Sequence, residues 1–349
     1  MDIEELLDLD LLSENLNKLM PGQGVSLKDI VFSLLKGDLS KACSLIWDAT
    51  IGALFNDVSV YKSVLLSILL LAVISAVFAR FGDLFKSRQV SEISYYIVYL
   101  MLSMILIKIF SFALDITYAL LNDLVTFVKL LVPTYLFTVG LSSGNLTAIG
   151  FYKIMLCIIY LVEYFLRYAI VPFVYSYIVL SVVNGLMEQD RLSQLLELMK
   201  KGIEYALKIS ITLITGVGVI QAMISPSIDH VKTSVLHKVL SAIPGIGNIA
   251  EGTAQTIYGS AVIIKNSVGT AFVLLLLIVL VQPVIKLFLL TVVIKLASAF
   301  IGLISDKRVT LCTNRVGDGT FLLLKTMLTG AALFVITIAI VAVSTNRGF

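Results

Sequence analysis

The sequence predicts an all-α, polytopic membrane protein with about seven to nine transmembrane helices, some of them broken or re-entrant. Hydrophobic residues make up 58% of its 349 residues and charged residues only 14%, whereas soluble domains contain about 45–50% and about 25%. Windows of about 17 to 20 residues with one charge or none also recur, and that length crosses a hydrocarbon layer of about 30 Å as a helix. Lipid is therefore the predicted solvent for most of the chain.

The first 60 residues differ from the rest because they are acidic, with ten aspartates and glutamates against four lysines. Leucines follow a helical period from Leu6 to Leu19, where a Pro-Gly pair ends the pattern. Asp38 is placed to cap a further helix that carries Trp47. We predict a small helical extracytoplasmic head over 1–60, followed by a transmembrane domain over 61–349. The acidic head also argues against nucleic acid as a partner.

The chain begins with the acidic run Met1-Asp2-Ile3-Glu4-Glu5. A signal peptide instead opens with a basic stretch followed by an apolar run. We therefore expect either that no signal peptide exists or that it has been removed.

The first part of the transmembrane domain is predicted to contain three spans. They lie at 63–79, 93–114 and 124–141. Basic residues in 80–92 follow the first span, so the positive-inside tendency places this loop in the cytoplasm and the acidic head on the other side. Asp115 and Asp123 lie between the second and third spans, where we predict a short turn on the outer side.

The apolar stretch 150–187 is too long for a single crossing. Arg167 and a nearby proline interrupt it, so we predict two spans that meet near Arg167. Residues 189–208 have one apolar and one charged helical face, which predicts an amphipathic helix at the cytoplasmic interface. The next span, 209–224, is predicted to end at Pro226.

The last third of the chain is predicted to be less regular. Residues 225–267 contain turn signals and are predicted to form a broken, re-entrant or extracytoplasmic helical segment. The apolar stretch 270–304 contains Pro283 and is followed by a charged loop at 305–325 and a final span at 327–343. Basic residues favour the cytoplasm for that loop, whereas a hairpin at Pro283 would place it outside. The sequence leaves both topologies open.

Ionisable residues inside the predicted spans are the first candidate functional residues. They are Lys108, Lys129, Glu163, Arg167, Lys286 and Lys295. Each costs about 2.5–3.5 kcal/mol at the bilayer centre on insertion scales, so each needs a partner, a watery cavity or a route to the headgroups. Glu163 and Arg167 are four residues apart and are predicted to form an ion pair. The lysines either snorkel to the interface or line a conduit.

The sequence lacks the patterns of metal, nucleotide and catalytic sites. Cys43, Cys157 and Cys312 are too scattered for a disulfide framework or a zinc site, and the two histidines, His230 and His237, are a poor metal site. The glycines after residue 244 do not form GxGxxG, and a phosphate loop, a nucleophile elbow and an HExxH pair are all missing. We expect no cofactor, no metal and no enzymatic activity.

One stretch carries a resemblance to a known family. The run Ala242-Ile243-Pro244-Gly245-Ile246-Gly247-Asn248-Ile249-Ala250-Glu251-Gly252, with Tyr258-Gly259-Ser260-Ala261 and Ile264-Lys265-Asn266-Ser267-Val268-Gly269 after it, resembles the stage III sporulation protein AE family of endospore-forming bacteria. The order of head, spans, glycine-punctuated segment and late apolar helices is similar as well. Members usually carry an N-terminal signal sequence, which is not seen here.

The resemblance implies a multi-pass protein of the mother-cell membrane that surrounds the forespore. It implies as partners the other stage III A proteins, which together form a channel or feeding apparatus between the two cells. Broken helices at membrane depth must be buried in protein or line water. The candidate pore or assembly segment is therefore made of Pro244, Gly245, Gly247, Asn248, Glu251 and Gly252.

Three functional hypotheses follow. The first is a subunit of this transport conduit, which acts in transport or in assembly and associates with the bilayer, with its partners and with copies of itself. The second is a stand-alone secondary transporter for a small solute, supported by the broken helices and the intramembrane charges. The third is a membrane scaffold that conducts nothing.

Overall fold

The structure is a computed structural model that describes six continuous stretches of the chain. These are residues 61–70, 88–143, 146–187, 190–240, 279–303 and 307–346, together with isolated positions in 38–47, 73–77 and 276–277. Throughout these residues the secondary structure is helical, apart from short turns, and contains no strand. The predicted all-α class is confirmed for this part of the chain.

Seven α-helices make up the described bundle. They are α1 (Tyr61–Leu70), α2 (Arg88–Ser143), α3 (Leu146–Phe165), α4 (Val171–Leu186), α5 (Ser193–Leu240), α6 (Val279–Leu303) and α7 (Lys307–Asn346). A single π-helical turn, Leu166–Ile170, joins α3 to α4.

Five segments are long and apolar enough to cross a membrane, as expected of a multi-pass helical membrane protein. They are Tyr95–Thr126, Lys153–Leu186, Ser193–Ile220, Val279–Leu303 and Lys307–Thr337. The total of seven to nine spans remains a prediction because part of the chain lies outside the described residues. The same holds for most of the head, although the predicted cap at Asp38 is confirmed: its Oδ1 accepts a hydrogen bond from the backbone N–H of Lys41 at 3.1 Å.

Consecutive spans run in opposite directions. α2 and α4 are antiparallel, because Tyr99 near the start of α2 donates a hydrogen bond to the carbonyl of Val182 near the end of α4 (2.7 Å). α6 and α7 are also antiparallel, because Ser298 near the end of α6 donates to the carbonyl of Thr310 near the start of α7 (3.2 Å). α2 and α7 are parallel, with Thr117 later in α2 contacting Met327 later in α7. This alternation suits a chain that crosses a bilayer back and forth.

α7 is the central helix of the bundle. It packs against α2, α3, α4 and α5, and the bond from Ser298 adds α6 to its neighbours. In its candidate span, 67% of the apolar 18-residue stretch is buried, compared with 28–44% of the corresponding stretches in the other four spans. Gly319 permits this close packing, because a β-carbon there would collide with the side chain of Ile178 on α4.

The predicted turn at Asp115 and Asp123 is wrong. Both residues lie inside α2, which continues from Arg88 to Ser143 without a break. No proline or glycine occurs between residues 93 and 132, and aspartate alone weakens a helix by less than about 1 kcal/mol. Two acidic residues are therefore too weak a signal to end this helix.

The predicted division near Arg167 is also wrong, although the chain is irregular there. α3, the π turn and α4 form one continuous rod, within which Lys153–Leu186 is a single candidate span. Pro172 lies at the second position of α4, where its missing N–H removes a helical hydrogen bond. The wider π turn just before it accommodates the proline without a loop.

The predicted interfacial helix at 189–208 does not exist as a separate element. Residues 193–208 begin α5, which continues through Pro226 to Leu240. Four of the predicted apolar residues, Leu196, Met199, Ile203 and Leu207, are buried. The amphipathic pattern thus faces neighbouring helices, and its apolar face belongs to the bundle core.

The predicted loop at 305–325 is wrong as well, and of the two open topologies at Pro283 the structure shows no hairpin. α6 runs through Pro283 without a turn, and almost all of 305–325 belongs to the central helix α7. Two of the charged residues that suggested a loop, Arg315 and Lys325, have ion-pair partners elsewhere in the chain. This removes the conflict over the side of that loop.

Gly319 provides a direct test of the packing around α7. Because Gly319→Ala places a β-carbon against Ile178, we expect a loss of stability of about 1–3 kcal/mol, typical of overpacking, seen as a lower thermal unfolding midpoint in detergent. The matched control is Gly216→Ala on α5, where nothing lies within 4 Å. That change is expected to be neutral or stabilising because alanine is the better helix former. Equal effects at the two glycines would contradict this packing.

Candidate functional site

A cluster of charged side chains lies between α5, α6 and α7. The carboxylate of Asp318 on α7 accepts hydrogen bonds from Lys200 Nζ on α5 (3.0 Å) and from Lys295 Nζ on α6 (2.5 Å). Lys295 Nζ also donates to the side-chain oxygen of Asn314 at 2.7 Å and to its carbonyl at 3.1 Å. We call these four residues the Asp318 cluster. It ties three apolar helices together through one carboxylate.

The sequence of α7 builds this cluster locally. Asn314 and Asp318 are four residues apart and so lie on one helical face. Gly317 lies beside them, and a β-carbon there would stand 3.0 Å from the Cδ and Cε atoms of Lys295. The glycine therefore leaves room for the lysine stem to lie along α7 and reach the carboxylate.

The Asp318 cluster is partly buried and carries more positive than negative charge. The side chains of Lys200 and Lys295 are each 35% exposed and that of Asp318 is 19% exposed. Two ammonium groups share one carboxylate, which leaves a formal excess of one positive charge. Such a site can attract an anionic group, or it can exchange its ion-pair partners if the helices move.

A second ion pair lies farther along the same interface. Lys325 Nζ on α7 donates to Glu204 Oε1 on α5 at 2.6 Å, and it stands 4.7 Å from the ring centre of Phe321. Lys325 follows Asp318 by seven residues, a rise of about 10.5 Å along the helix. Polar contacts therefore extend over about two turns of the α5–α7 interface.

A third polar group joins the beginning of α7 to the turn between α4 and α5. Arg315 Nη2 lies 3.1 Å from Asp190, and Asn184 also donates to this carboxylate. Asn184 in turn accepts the backbone N–H of Leu192 at 2.9 Å. Burial raises the pKa of Asp190, but the hydrogen bonds from Asn184 and Arg315 outweigh it and hold the pKa below its usual value.

Glu163 is buried beside α7 without a hydrogen-bond partner for either carboxylate oxygen. It is 1% exposed, and its Oε1 would lie 2.9 Å from a β-carbon at Gly330. The predicted ion pair with Arg167 is wrong, because Arg167 donates to Asn122 on α2 at 2.6 Å. The π turn begins between the two residues and widens the helix there, so four-residue spacing no longer aligns them.

The other predicted charges lie apart from one another. Lys108 is exposed on α2, and Lys129 lies farther along the same helix. Lys286 is on α6, where its carbonyl accepts a hydrogen bond from Tyr61 at 3.2 Å. Of the six predicted residues, Lys295 belongs to the Asp318 cluster.

The predicted pore or assembly segment lies outside the described residues. This covers Pro244, Gly245, Gly247, Asn248, Glu251 and Gly252, which stay a prediction. The side chains of His230, His237 and Cys43 also lie outside the described part, whereas Cys157 is an exposed and Cys312 a buried free thiol. Within the described residues, no group of histidine, cysteine or carboxylate side chains is arranged to hold a metal ion.

Most members of the polar network are not among the predicted site residues, because the charges of 305–325 predict a loop. Their partners on α5, Lys200 and Glu204, lie in 189–208, which the sequence predicts to be an interfacial helix. One signal was available: Asn314, Asp318 and Lys325 recur at helical spacing, and Asp318 lies between Gly317 and Gly319. That pattern is typical of a helix packed closely on its neighbours.

Removing the shared carboxylate should destabilise the bundle. Asp318→Ala leaves Lys200 and Lys295 without their common partner. We expect the free energy of unfolding to fall by about 1–3 kcal/mol, less than for a fully buried ion pair because the side chains are partly exposed. The matched control is Glu197→Ala, which breaks the exposed Glu197–Lys201 pair (2.8 Å) and should change stability far less, because water and salt screen an exposed pair. Thermal unfolding in detergent gives both values, and similar losses would show that the cluster adds no stability.

Comparison with known proteins identifies the family of this chain. The sequence profile described as stage III sporulation protein AE matches residues 25–345. A relative of that name from Bacillus subtilis (strain 168) is 22% identical over 345 residues, which is 97% of this chain and 86% of the relative. No solved structure matches the chain. Because the profile covers most of the chain, this protein belongs to the stage III sporulation protein AE family.

Proposed function

We propose that this chain is a membrane subunit of the channel complex, or feeding apparatus, that links mother cell and forespore during sporulation. Family membership makes it a stage III sporulation protein, and its apolar helices are those of a multi-pass membrane component. The finer role, transport or assembly of the complex, is our proposal. In this role it resides in the mother-cell membrane around the forespore, beside other stage III A proteins, and performs no chemical reaction.

The observation that supports this role best is the Asp318 cluster. A protein that merely anchors other proteins in the membrane needs no charges between its spans, and each such charge is costly there. Here three helices share a carboxylate whose lysine partners keep a third of their side-chain surface exposed. Charges in such a position are typical of helices that line a polar route or contact a polar partner.

Glu163 gives some support to the second hypothesis, a stand-alone transporter. It is a buried carboxyl without a partner, and it lies next to a π turn, a feature frequent at functional sites. Intramembrane carboxyl groups of this kind are common in proton relays and ion pathways. The transporter hypothesis requires that the isolated chain moves a solute.

Sporulation with variant chains tests the proposed role. We expect Asp318→Ala to lower the yield of heat-resistant spores at least tenfold while the protein still accumulates in the membrane. Asp318→Glu should recover much of the loss because it keeps a carboxylate between Lys200 and Lys295, and Lys153→Ala on the exposed face of α3 serves as the control. Normal spore yield from an accumulated Asp318→Ala protein would contradict a role for the cluster.

Two further measurements separate the alternatives. A scaffold predicts that partner proteins keep their positions with the Asp318→Ala chain and that spore yield is unchanged, whereas complete loss of the chain displaces them. A stand-alone transporter predicts solute uptake by liposomes that contain only this chain, and a lower rate with Glu163→Gln. Uptake without any partner would favour the transporter over the channel subunit.

A further inference from the structure

α2 presents an exposed stripe that contains two opposite charges. The stripe consists of Ile97, Met101, Met104, Lys108, Asp115, Ala119 and Asn122, all of them exposed. Consecutive positions are three, four or seven residues apart, so they lie on one face of the helix. Met101, Lys108, Asp115 and Asn122 are each seven residues apart, the repeat of helices that pack along a seam. Asn122 at the end of this seam accepts a hydrogen bond from Arg167, whereas Lys108 and Asp115 have exposed side chains.

α5 presents a second exposed stripe. It consists of Glu197, Lys201, Tyr205, Lys208 and Thr212, which again share one helical face. The side chains of Glu197 and Lys201 are 65% and 60% exposed, and they contact each other at 2.8 Å. Both stripes lie within candidate spans, where charges that face lipid are unfavourable. Another protein surface would be a better environment for them.

The charges on the two stripes lie at matching heights, with α7 as the common reference. On α2, Phe110 lies beside Gly319, so Lys108 is level with the region of Asp318. On α5, Lys200 contacts Asp318 directly, and Glu197 is only about 4.5 Å lower along the helix. Lys108 and Glu197 therefore stand at nearly the same depth.

The second charge of α2 also finds an opposite charge on α5. Asp115 lies about 10.5 Å beyond Lys108, whereas Lys201 and Lys208 lie about 6 Å and about 16.5 Å beyond Glu197. The carboxylate thus falls between two lysines, each about 5 Å away in height and within reach of a flexible side chain. Along α2 a basic residue precedes an acidic one, whereas along α5 an acidic residue precedes the basic ones. Opposite charges therefore face each other when the two stripes are aligned.

We propose that the α2 stripe of one copy docks against the α5 stripe of a second copy. α2 and α5 are parallel, since both run parallel to α7, so the contact keeps all copies in the same membrane orientation. Both helices pack on α7 but not closely on each other, so the stripes face different sides of the protein. A symmetric contact of α2 with α2 would instead place Lys108 against Lys108.

The proposed contact joins two different surfaces, so it produces a ring if the rotation closes and a filament if it does not. It rests on the charge order and the heights of the stripes and holds whether or not the assembly conducts. With this contact, the proposed channel subunit is an oligomer of identical chains. Evidence against the contact would not contradict the channel role, which spore yield tests separately. A loss of spore yield would likewise not show whether the contact exists.

Cysteine cross-linking tests the contact directly. One chain carries Lys108→Cys and another Glu197→Cys, both with Cys43→Ser and Cys157→Ser, and the two are co-expressed and oxidised in membranes. We expect a mixed 108–197 disulfide at least tenfold more abundant than either same-position disulfide. Phe288→Cys on the exposed face of α6 replaces Lys108→Cys as the control and should not cross-link. Same-position disulfides alone, or an absence of cross-links, would overturn the proposal.

Charge reversal supplies an independent measurement. Light scattering of the purified full chain in mild detergent should give a multimer, and Lys108→Glu should weaken its self-association at least tenfold. A chain with both Lys108→Glu and Glu197→Lys should regain association, because the opposite charges are restored with their positions exchanged. A monomeric starting chain, or equal association in all variants, would refute the contact.

Discussion

Lipid offers no hydrogen bonds, so each polar group of a spanning helix depends on what its neighbours supply. This constraint is strongest for α7, which is the most buried of the five candidate spans and also carries Arg315, Asp318 and Lys325. Each of these side chains has an opposite charge on another segment: Asp190, two lysines and Glu204 respectively. The position of α7 thus determines where the helices around it can lie. Its glycines bring those helices close enough for the ion pairs to form.

The helical membrane class could be predicted from the sequence because it depends only on composition and on the length of apolar runs. Boundaries were harder, since aspartates, prolines and charged stretches were read as ends of helices. In the structure Asp115, Pro226 and Pro283 all lie within helices. Whether a polar residue ends a helix or finds a partner depends on distant parts of the chain. The residues next to a polar side chain in the sequence therefore do not show whether it has a distant partner.

The candidate site shows the same limit more sharply. Lys295 is one of the predicted intramembrane charges, but its partner Asp318 lies 23 residues later, in a stretch that the sequence predicts to be a loop. Glu163 and Arg167 had ideal spacing for a pair, yet one π turn separates them. Spacing rules assume a regular helix. Pro172 lies five residues beyond Arg167, so the sequence between Glu163 and Arg167 gives no sign that the helix is irregular there. The glycine-punctuated segment at 241–269 keeps its predicted importance without a structural description.

The central position of the last helix has a consequence for biogenesis. Ribosomes deliver the chain from its N-terminus, so α5 and α6 enter the membrane before α7 exists. Until the 40 residues of α7 are synthesised, three charged side chains lack their final partners: Lys200, Glu204 and Lys295. During that interval these three charges lack the partners that they have in the folded bundle. Insertion of α5 and α6 into the membrane is therefore less favourable before α7 arrives than after it.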